Sequence, residues 1–190
     1  MGGHNNMTHQ TGRLGRDAYY MGIALAVRER ANCIGSRVGA VVVLEDRVIA
    51  TGYNGTPMGM INCDEGGCER CNDPGRFPSG SGYDVCICVH AEQNTLLTAA
   101  RFGIAVRGAA IYSTMRPCFG CTKELLQAEI AQVMYLHDWT PPDDLRQQYE
   151  LIQSQFPHGI RQVQVHDPRI EWAMPRGTRQ PTETGHTPTG

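Results

Sequence analysis

The chain has 190 residues, of which 41% are hydrophobic, and its formal net charge is −2. This apolar fraction suffices for one sizeable core, and the near-neutral charge excludes a basic surface for wrapping a nucleic-acid backbone. The longest apolar run is far too short to cross a membrane, and the N-terminal residues lack the apolar segment of an export signal. We therefore expect a cytoplasmic, single-domain protein that has neither a nucleic-acid nor a membrane partner.

The predicted elements are helices and strands in alternation. Apolar side chains at helical spacing predict a first helix over residues 16–33, and β-branched residues around a tight turn at Glu45 and Asp46 predict two strands over residues 37–55. After a long loop, a helix and a strand are predicted three times in succession, over residues 90–103, 108–115, 117–130, 131–138, 141–154 and 160–167. This order predicts an α/β domain in which helices cover the faces of a five-stranded sheet.

Composition also divides the chain into segments. We expect a flexible leader over residues 1–12, a single domain over residues 13–172 and a disordered tail over residues 173–190. Within the domain, residues 55–87 are rich in Gly, Pro and Cys and show no periodicity. Because a structureless loop of this length is unusual inside a compact domain, we expect something to fix it in place.

The eight cysteines are the most informative residues of the chain. Without an export signal they indicate metal binding or catalysis rather than a set of disulfides. His90 begins one predicted helix, and Cys118 and Cys121 begin another, where the helix N-terminus favours thiolates. These three side chains are candidate ligands of a catalytic zinc ion whose fourth position is left for water. Glu92, two residues after His90, is then the candidate proton carrier.

Six further cysteines remain for a second, structural zinc ion: Cys33, Cys63, Cys68, Cys71, Cys86 and Cys88. Four thiolates around one ion would order residues 55–87, because metal-binding energy becomes folding energy. Local spacing favours Cys68, Cys71 and Cys86 together with either Cys63 or Cys88. The alternative is a group of buried free thiols.

Five stretches of the sequence resemble the cytidine-deaminase superfamily. They read RVGAVVV, GYNGTPMG, NCDEGGCERCN, CICVHAEQN and PCFGC, and GYNGTP with the cysteine-bearing insert marks the deoxycytidylate (dCMP) deaminase branch. The resemblance implies a three-layer α/β/α sandwich with a mixed five-stranded sheet. It also implies zinc-dependent hydrolytic deamination of dCMP to dUMP and ammonia, which supplies dUMP for thymidylate synthesis, with Glu92 carrying the protons.

The resemblance further implies which residues bind ligands. Substrate contacts are expected from Asn54, Thr114, Arg101 and Arg116, and effector contacts from Gly52, Tyr53 and Gly55. For the second zinc ion it favours Cys33, Cys63 and Cys88 with one further cysteine. A homohexamer, activation by dCTP, inhibition by dTTP and Mg²⁺ bound with a triphosphate effector are expected on the same grounds.

Some of these residues have simpler interpretations, and the function has two alternatives. Asn54 can be an ordinary turn residue, and Arg101 can be a solvated charge at a helix C-terminus. The substrate can be another cytosine compound, such as CMP, cytidine or a modified dCMP, because Arg116 stands where a smaller residue is usual. A non-enzymatic zinc module is the third hypothesis, but such a module has no use for Glu92.

Overall fold

One mixed sheet of five strands organises the fold. The computed structural model describes residues 12–77 and 82–174, apart from the side chain of Tyr83. In chain order the strands are β1 (Gly39–Leu44), β2 (Arg47–Tyr53), β3 (Ala110–Met115), β4 (Gln132–His137) and β5 (Ile160–Gln162). In the sheet they are ordered β2-β1-β3-β4-β5. The pairs β1/β2 and β1/β3 are antiparallel, and the pairs β3/β4 and β4/β5 are parallel. The predicted α/β fold with a mixed five-stranded sheet is therefore confirmed.

The described residues form five α-helices, and helices cover both faces of the sheet. They are α1 (Arg16–Arg28), α2 (Glu69–Asn72), α3 (Ala91–Arg101), α4 (Phe119–Gln127) and α5 (Arg146–Gln153). Strand β1 shows the layering most clearly, because its side chains alternate between two cores. Val41 packs in the core that contains α1, whereas Val42 packs in the core that contains α3 and α4.

Two glycines in the sheet allow helix backbones to pack directly against the strand backbone. A Cβ atom on Gly39 would lie 2.3 Å from the carbonyl oxygen of Ala24 in α1. A Cβ atom on Gly52 would lie 2.4 Å from the backbone nitrogen of Thr95 in α3. Any larger residue at these positions would push a helix away from the sheet. The hairpin between the two strands turns at Glu45 and Asp46, whose φ angles of 50° and 59° suit a tight β-hairpin turn.

The C-terminal part of the domain is tied to α1 by ion pairs. The buried guanidinium of Arg28 donates two hydrogen bonds, of 2.7 and 2.6 Å, to the carboxylate of Asp167. At the other end of α1, Arg161 donates two hydrogen bonds of 2.9 Å to Asp17. The strand predicted over residues 160–167 is consequently short, because the chain leaves the sheet after β5 and Asp167 turns towards Arg28.

The segment limits that sequence composition suggested remain predictions. The predicted leader and tail lie almost wholly outside the described residues. The first helix ends at Arg28 rather than at residue 33, and the chain then turns so that Cys33 joins the other insert cysteines. No helix within the described parts of the chain has the length and apolar character needed to span a membrane.

Candidate active site

Three predicted metal ligands meet at the starts of two helices. His90 is the N-cap residue of α3 and Cys118 is the N-cap residue of α4, while Cys121 lies in the first turn of α4. His90 Nδ1 lies 3.5 Å from Cys118 Sγ and 3.4 Å from Cys121 Sγ. The three ligand atoms therefore lie together although 31 residues separate the ends of the set.

The spacing of these atoms fits a tetrahedral zinc site. With Zn–N near 2.0 Å and Zn–S near 2.3 Å, a ligand nitrogen and a ligand sulfur are about 3.5 Å apart. The observed separations are close to this value. Three protein ligands are also the usual number for a catalytic zinc, because the fourth position is needed for water.

The charge state of the Cys118 side chain suits metal binding. The pKa of Cys118 is lowered to about 4, chiefly by a hydrogen bond with the Cys121 sulfur and further by His90. The hydrogen bond with Cys118 in turn raises the pKa of His90 to about 9, against the effect of burial. The hydrogen bond with Cys118 and burial raise the pKa of Cys121 well above its usual range, so His90 and Cys121 would each have to release a proton before binding a metal ion.

Glu92 lies in the first turn of α3, beside this cluster. Its side chain is 4% exposed, and Ser113 Oγ on β3 donates a 2.8 Å hydrogen bond to Glu92 Oε1. Burial raises the pKa of Glu92 because the charged form is desolvated, and the hydrogen bond from Ser113 opposes that rise. A carboxyl group whose pKa is raised towards neutrality can both take up and release a proton.

Two of the predicted substrate residues are buried and hold the backbone. Asn54 Oδ1 accepts a 2.8 Å hydrogen bond from the Val38 backbone, and Asn54 Nδ2 donates one of 2.7 Å to the Ser36 carbonyl. Thr114 Oγ1 accepts a 3.1 Å hydrogen bond from the Gly39 backbone. Each side chain retains further hydrogen-bonding capacity, because an amide and a hydroxyl both have more than one donor or acceptor position.

The two predicted phosphate ligands lie in different places. Arg101 is exposed in the last turn of α3, about 15 Å along the helix from His90. Arg116 directly precedes the segment that carries Cys118, and its guanidinium is held by Gln153 Oε1 at 3.0 Å and by Asp138 Oδ1 at 3.2 Å. Arg116 is thus near the zinc ligands in the chain, and Arg101 is at the far end of α3.

The three predicted effector residues lie at the end of β2 and just after it. Gly52 faces α3 at backbone distance, and the Tyr53 carbonyl accepts a 2.7 Å hydrogen bond from Asn94 in that helix. Gly55 forms a two-way backbone bridge with Val89, the residue before His90. These contacts give all three positions a packing role, and effector binding there stays a prediction.

The six cysteines outside the His90 site form one cluster, in which all but Cys86 are buried. Their sulfur atoms compose two sets of four in which every pair lies within 4.8 Å. The first quartet is Cys33, Cys63, Cys71 and Cys88, and the second quartet is Cys68, Cys71, Cys86 and Cys88. The structure therefore brings all six cysteines together, and both groupings considered for the sequence have a counterpart in it.

Several contacts of the site were not predicted. The hydrogen bond of Ser113 to Glu92 joins residues 21 positions apart, and no local sequence pattern predicts it. The contact of Gln153 with Arg116 joins residues 37 positions apart, which no local pattern indicates. Arg70, a buried cation beside the cysteine cluster, was also missed, because its sequence neighbourhood resembles an ordinary polar loop.

Comparisons with known proteins agree with this geometry. A family model described as the cytidine and deoxycytidylate deaminase zinc-binding region matches residues 14–137. The deoxycytidylate deaminase of Schizosaccharomyces pombe is 45% identical over 119 residues, which are 63% of this chain and 36% of that protein. The deoxycytidylate deaminase of Mycobacterium phage D29 is 41% identical over 122 residues, covering 63% of this chain and 92% of the phage protein.

A solved structure is similar over most of the chain. It is the dCMP deaminase of the cyanophage S-TIM5 in complex with dCMP and dUMP, with a TM-score of 0.59 and 25% sequence identity. The match covers 80% of this chain and 100% of the cyanophage protein. By contrast, the chain spans only about a third of the length of the yeast relatives it matches.

Proposed function

Because the chain belongs to the cytidine and deoxycytidylate deaminase zinc-binding family, we propose that it catalyses the hydrolytic deamination of dCMP to dUMP and ammonia. One observation carries this proposal, namely the buried carboxyl group of Glu92 beside a set of three zinc ligands. Relatives named deoxycytidylate deaminase support the choice of substrate. The dUMP formed would supply thymidylate synthesis.

In this proposal each group of the site has a separate task. His90, Cys118 and Cys121 hold zinc, which when bound supplies a Lewis acid that lowers the pKa of a water molecule towards neutrality. Glu92 takes a proton from that water and delivers protons to the ring nitrogen N3 and to the leaving amine. Ser113 positions Glu92 by holding one carboxylate oxygen.

The proposed substrate contacts extend from the same site. Asn54 and Thr114, which already fix the backbone before β1, are proposed to contact the deoxyribose and the base with their remaining hydrogen-bonding positions. Arg101 and Arg116 are proposed phosphate ligands. Arg101 lies about 15 Å from His90 along α3. Its role as a phosphate ligand therefore requires that another subunit complete the phosphate site.

Regulation, assembly and further metals are proposed on the same family grounds. The chain would form a hexamer, and dCTP with Mg²⁺ would activate it while dTTP inhibits it, through the loop of Gly52, Tyr53 and Gly55. Exposed apolar side chains of α3, Leu97 and Phe102, offer surface for subunit contacts. The cysteine cluster would bind structural zinc, and its free thiols suit the reducing conditions of a cytoplasm.

A second candidate substrate is a cytosine compound without the 5′-phosphate, or with a different sugar. The contacts of Arg116 with Asp138 and Gln153 favour this alternative, since a guanidinium already paired with a carboxylate is a weaker phosphate ligand. Loss of cytosine absorbance with dCMP, CMP and cytidine, each with and without dCTP and Mg²⁺, and with dCTP alone, discriminates between the candidates. If the initial rate depended hyperbolically on the dCMP concentration and dCTP left this dependence unchanged, the result would count against regulation.

The catalytic proposal is tested by Glu92→Gln, with Glu150→Gln on the exposed side of α5 as the matched control. The variant at position 92 should lose at least about 100-fold in kcat for dCMP while its zinc content stays that of the unaltered protein. The control should keep both values. If Glu92→Gln remained fully active with zinc bound, the proposed role of this carboxyl group would be wrong.

A further inference from the structure

The two cysteine quartets share two members, Cys71 and Cys88, and each of the other four cysteines belongs to one quartet only. Two tetrahedra that share one edge need six ligand atoms, which is the number that the cluster offers. We propose that the cysteine cluster binds two zinc ions rather than one, with the Cys71 and Cys88 thiolates bridging them. This inference goes beyond the proposed function, which depends on none of the six cysteines.

Three sulfur separations match tetrahedral geometry, and every other pair within a quartet lies within 4.8 Å in the same conformation. In a tetrahedral thiolate site with Zn–S near 2.3 Å, two sulfur ligands are about 3.8 Å apart. In the first quartet Cys33 Sγ lies 3.8 Å from Cys71 Sγ. In the second quartet Cys86 Sγ lies 4.0 Å from Cys68 Sγ and 3.9 Å from Cys71 Sγ. Neither quartet needs to be dismantled to form the other.

Charge balance also allows the second ion. One zinc ion with four thiolates and two neutral thiols has the same formal charge as two zinc ions with six thiolates. The second ion therefore enters by releasing two thiol protons, and the net charge of the buried cluster does not change. Arg70 lies beside the cluster in either state. Its Nη1 atom and the sulfurs of Cys33 and Cys71 are all within 4 Å of the point where a Cβ on Gly35 would stand.

If only one ion binds, two sulfurs of the cluster stay without a metal bond, which is unfavourable in free energy where they are buried. An ion in the first quartet leaves Cys68 and Cys86 as thiols, and an ion in the second leaves Cys33 and Cys63. Cys63 and Cys68 have no exposed surface, and Cys33 is 5% exposed. Thiols in these positions make weak hydrogen bonds to thiolates, whereas a second ion bonds each of them directly.

The connectivity of the chain shows what two ions accomplish. Cys33 comes from the turn after α1, while the other five cysteines lie at the two ends of the segment 63–88. Its described residues, 63–77 and 82–88, contain only the four-residue helix α2 and two short 3₁₀ turns, so backbone hydrogen bonding does little to order them. Two bridged ions join both ends of the segment to the domain, and Cys88 stands two residues before His90.

The experiment is a count of zinc per chain with a direct probe of the metal–metal distance. The full-length protein is reduced, equilibrated with zinc and gel-filtered, and metal is measured by native mass spectrometry and elemental analysis. We expect about three ions per chain, of which one belongs to the His90 site. X-ray absorption should show zinc–zinc scattering at about 3 Å, the separation set by two shared sulfurs.

Three variants assign the ions. Cys63→Ser and Cys68→Ser, one for each quartet, should each lose one ion and the zinc–zinc scattering. Cys121→Ser removes a ligand of the other site, so it should lose one ion and keep the scattering. Activity does not enter any of these readings, so an incorrect reaction assignment would leave the test intact.

Two ions per chain in the unaltered protein, without zinc–zinc scattering, would overturn the proposal. Retention of the wild-type count by either Cys63→Ser or Cys68→Ser would do the same, since the intact quartet would then account for all structural zinc. If both variants failed to fold, the count and the scattering of the unaltered protein would decide alone.

Discussion

Replacement of Gly52 by alanine should disturb the active site by displacing α3. The added Cβ would lie 2.4 Å from Thr95 N and 2.5 Å from the Ala91 carbonyl oxygen, both backbone atoms of α3. Ordinary contact for a Cβ atom begins at 3.4 Å, so α3 must move by about 1 Å away from β2. His90 is the N-cap residue of α3, and Glu92 lies in its first turn. Both side chains would therefore move relative to the side chains on α4 and β3 that they contact.

The size of the effect follows from this displacement. Overpacking of this kind typically costs about 1–3 kcal/mol of unfolding free energy. A misplacement of about 1 Å in catalytic groups can lower kcat by roughly 100-fold. We therefore expect Gly52→Ala to fold with reduced stability and to lose most of its activity, although the substituted atom touches neither substrate nor metal.

Urea unfolding and initial rates of dCMP deamination measure the two effects. The control is Gly22→Ala in α1, where an added Cβ meets nothing within 4 Å. Since alanine is a better helix former than glycine, this control should gain up to about 1 kcal/mol and keep its activity. Unchanged stability and unchanged kcat in Gly52→Ala would show that α3 adapts without moving its first turn, and would refute the reasoning.

Two more predictions concern single hydrogen-bonded groups. Ser113→Ala removes the hydrogen-bond donor to Glu92. Because a hydrogen bond to a charged group contributes a free energy equivalent to about tenfold or more in rate, kcat should fall by that factor while KM and zinc content stay nearly unchanged. An unaltered kcat would contradict the positioning role of Ser113. The second prediction concerns Asp167, where burial acts to raise the pKa but hydrogen bonds, chiefly from Arg28, lower it to about 2. Its stabilising effect is therefore complete above the unfolded pKa near 3.9 and is lost as the pH falls towards 2, a difference of about 2 kcal/mol. Between pH 6 and 2.5, unfolding free energies should fall more steeply for the wild type than for Asp167→Asn, and parallel slopes would contradict this assignment.

The sequence allowed the secondary structure near the candidate zinc ligands to be predicted well. His90, Cys118 and Cys121 stand at helix starts, where proline, apolar periodicity and cap positions leave clear local signals. Strand β1 is an uninterrupted apolar run because it is covered on both faces. Elements governed by local periodicity were therefore located to within a few residues.

Features that depend on distant partners could not be predicted. The first helix stops at Arg28, yet the residues after it are acceptable in a helix, and only the cysteine cluster explains why the chain turns there. The last strand is short because Asp167 pairs with Arg28, a contact across 139 positions. Likewise, spacing alone could not assign the six cysteines, since two of them take part in both quartets.

The ion pairs at the two ends of α1 also have a consequence for how the domain is made. Asp17 and Arg28 find their partners 144 and 139 residues later in the chain. While the protein is being synthesised, α1 can pack on the sheet only with a guanidinium that has no carboxylate beside it, an arrangement that costs several kcal/mol. Final docking of the first helix therefore waits for the last described segment, so a ribosome-bound chain that ends before Asp167 should hold α1 loosely. Emergence of the segment that carries Asp167, rather than emergence of the catalytic residues, would then complete the fold.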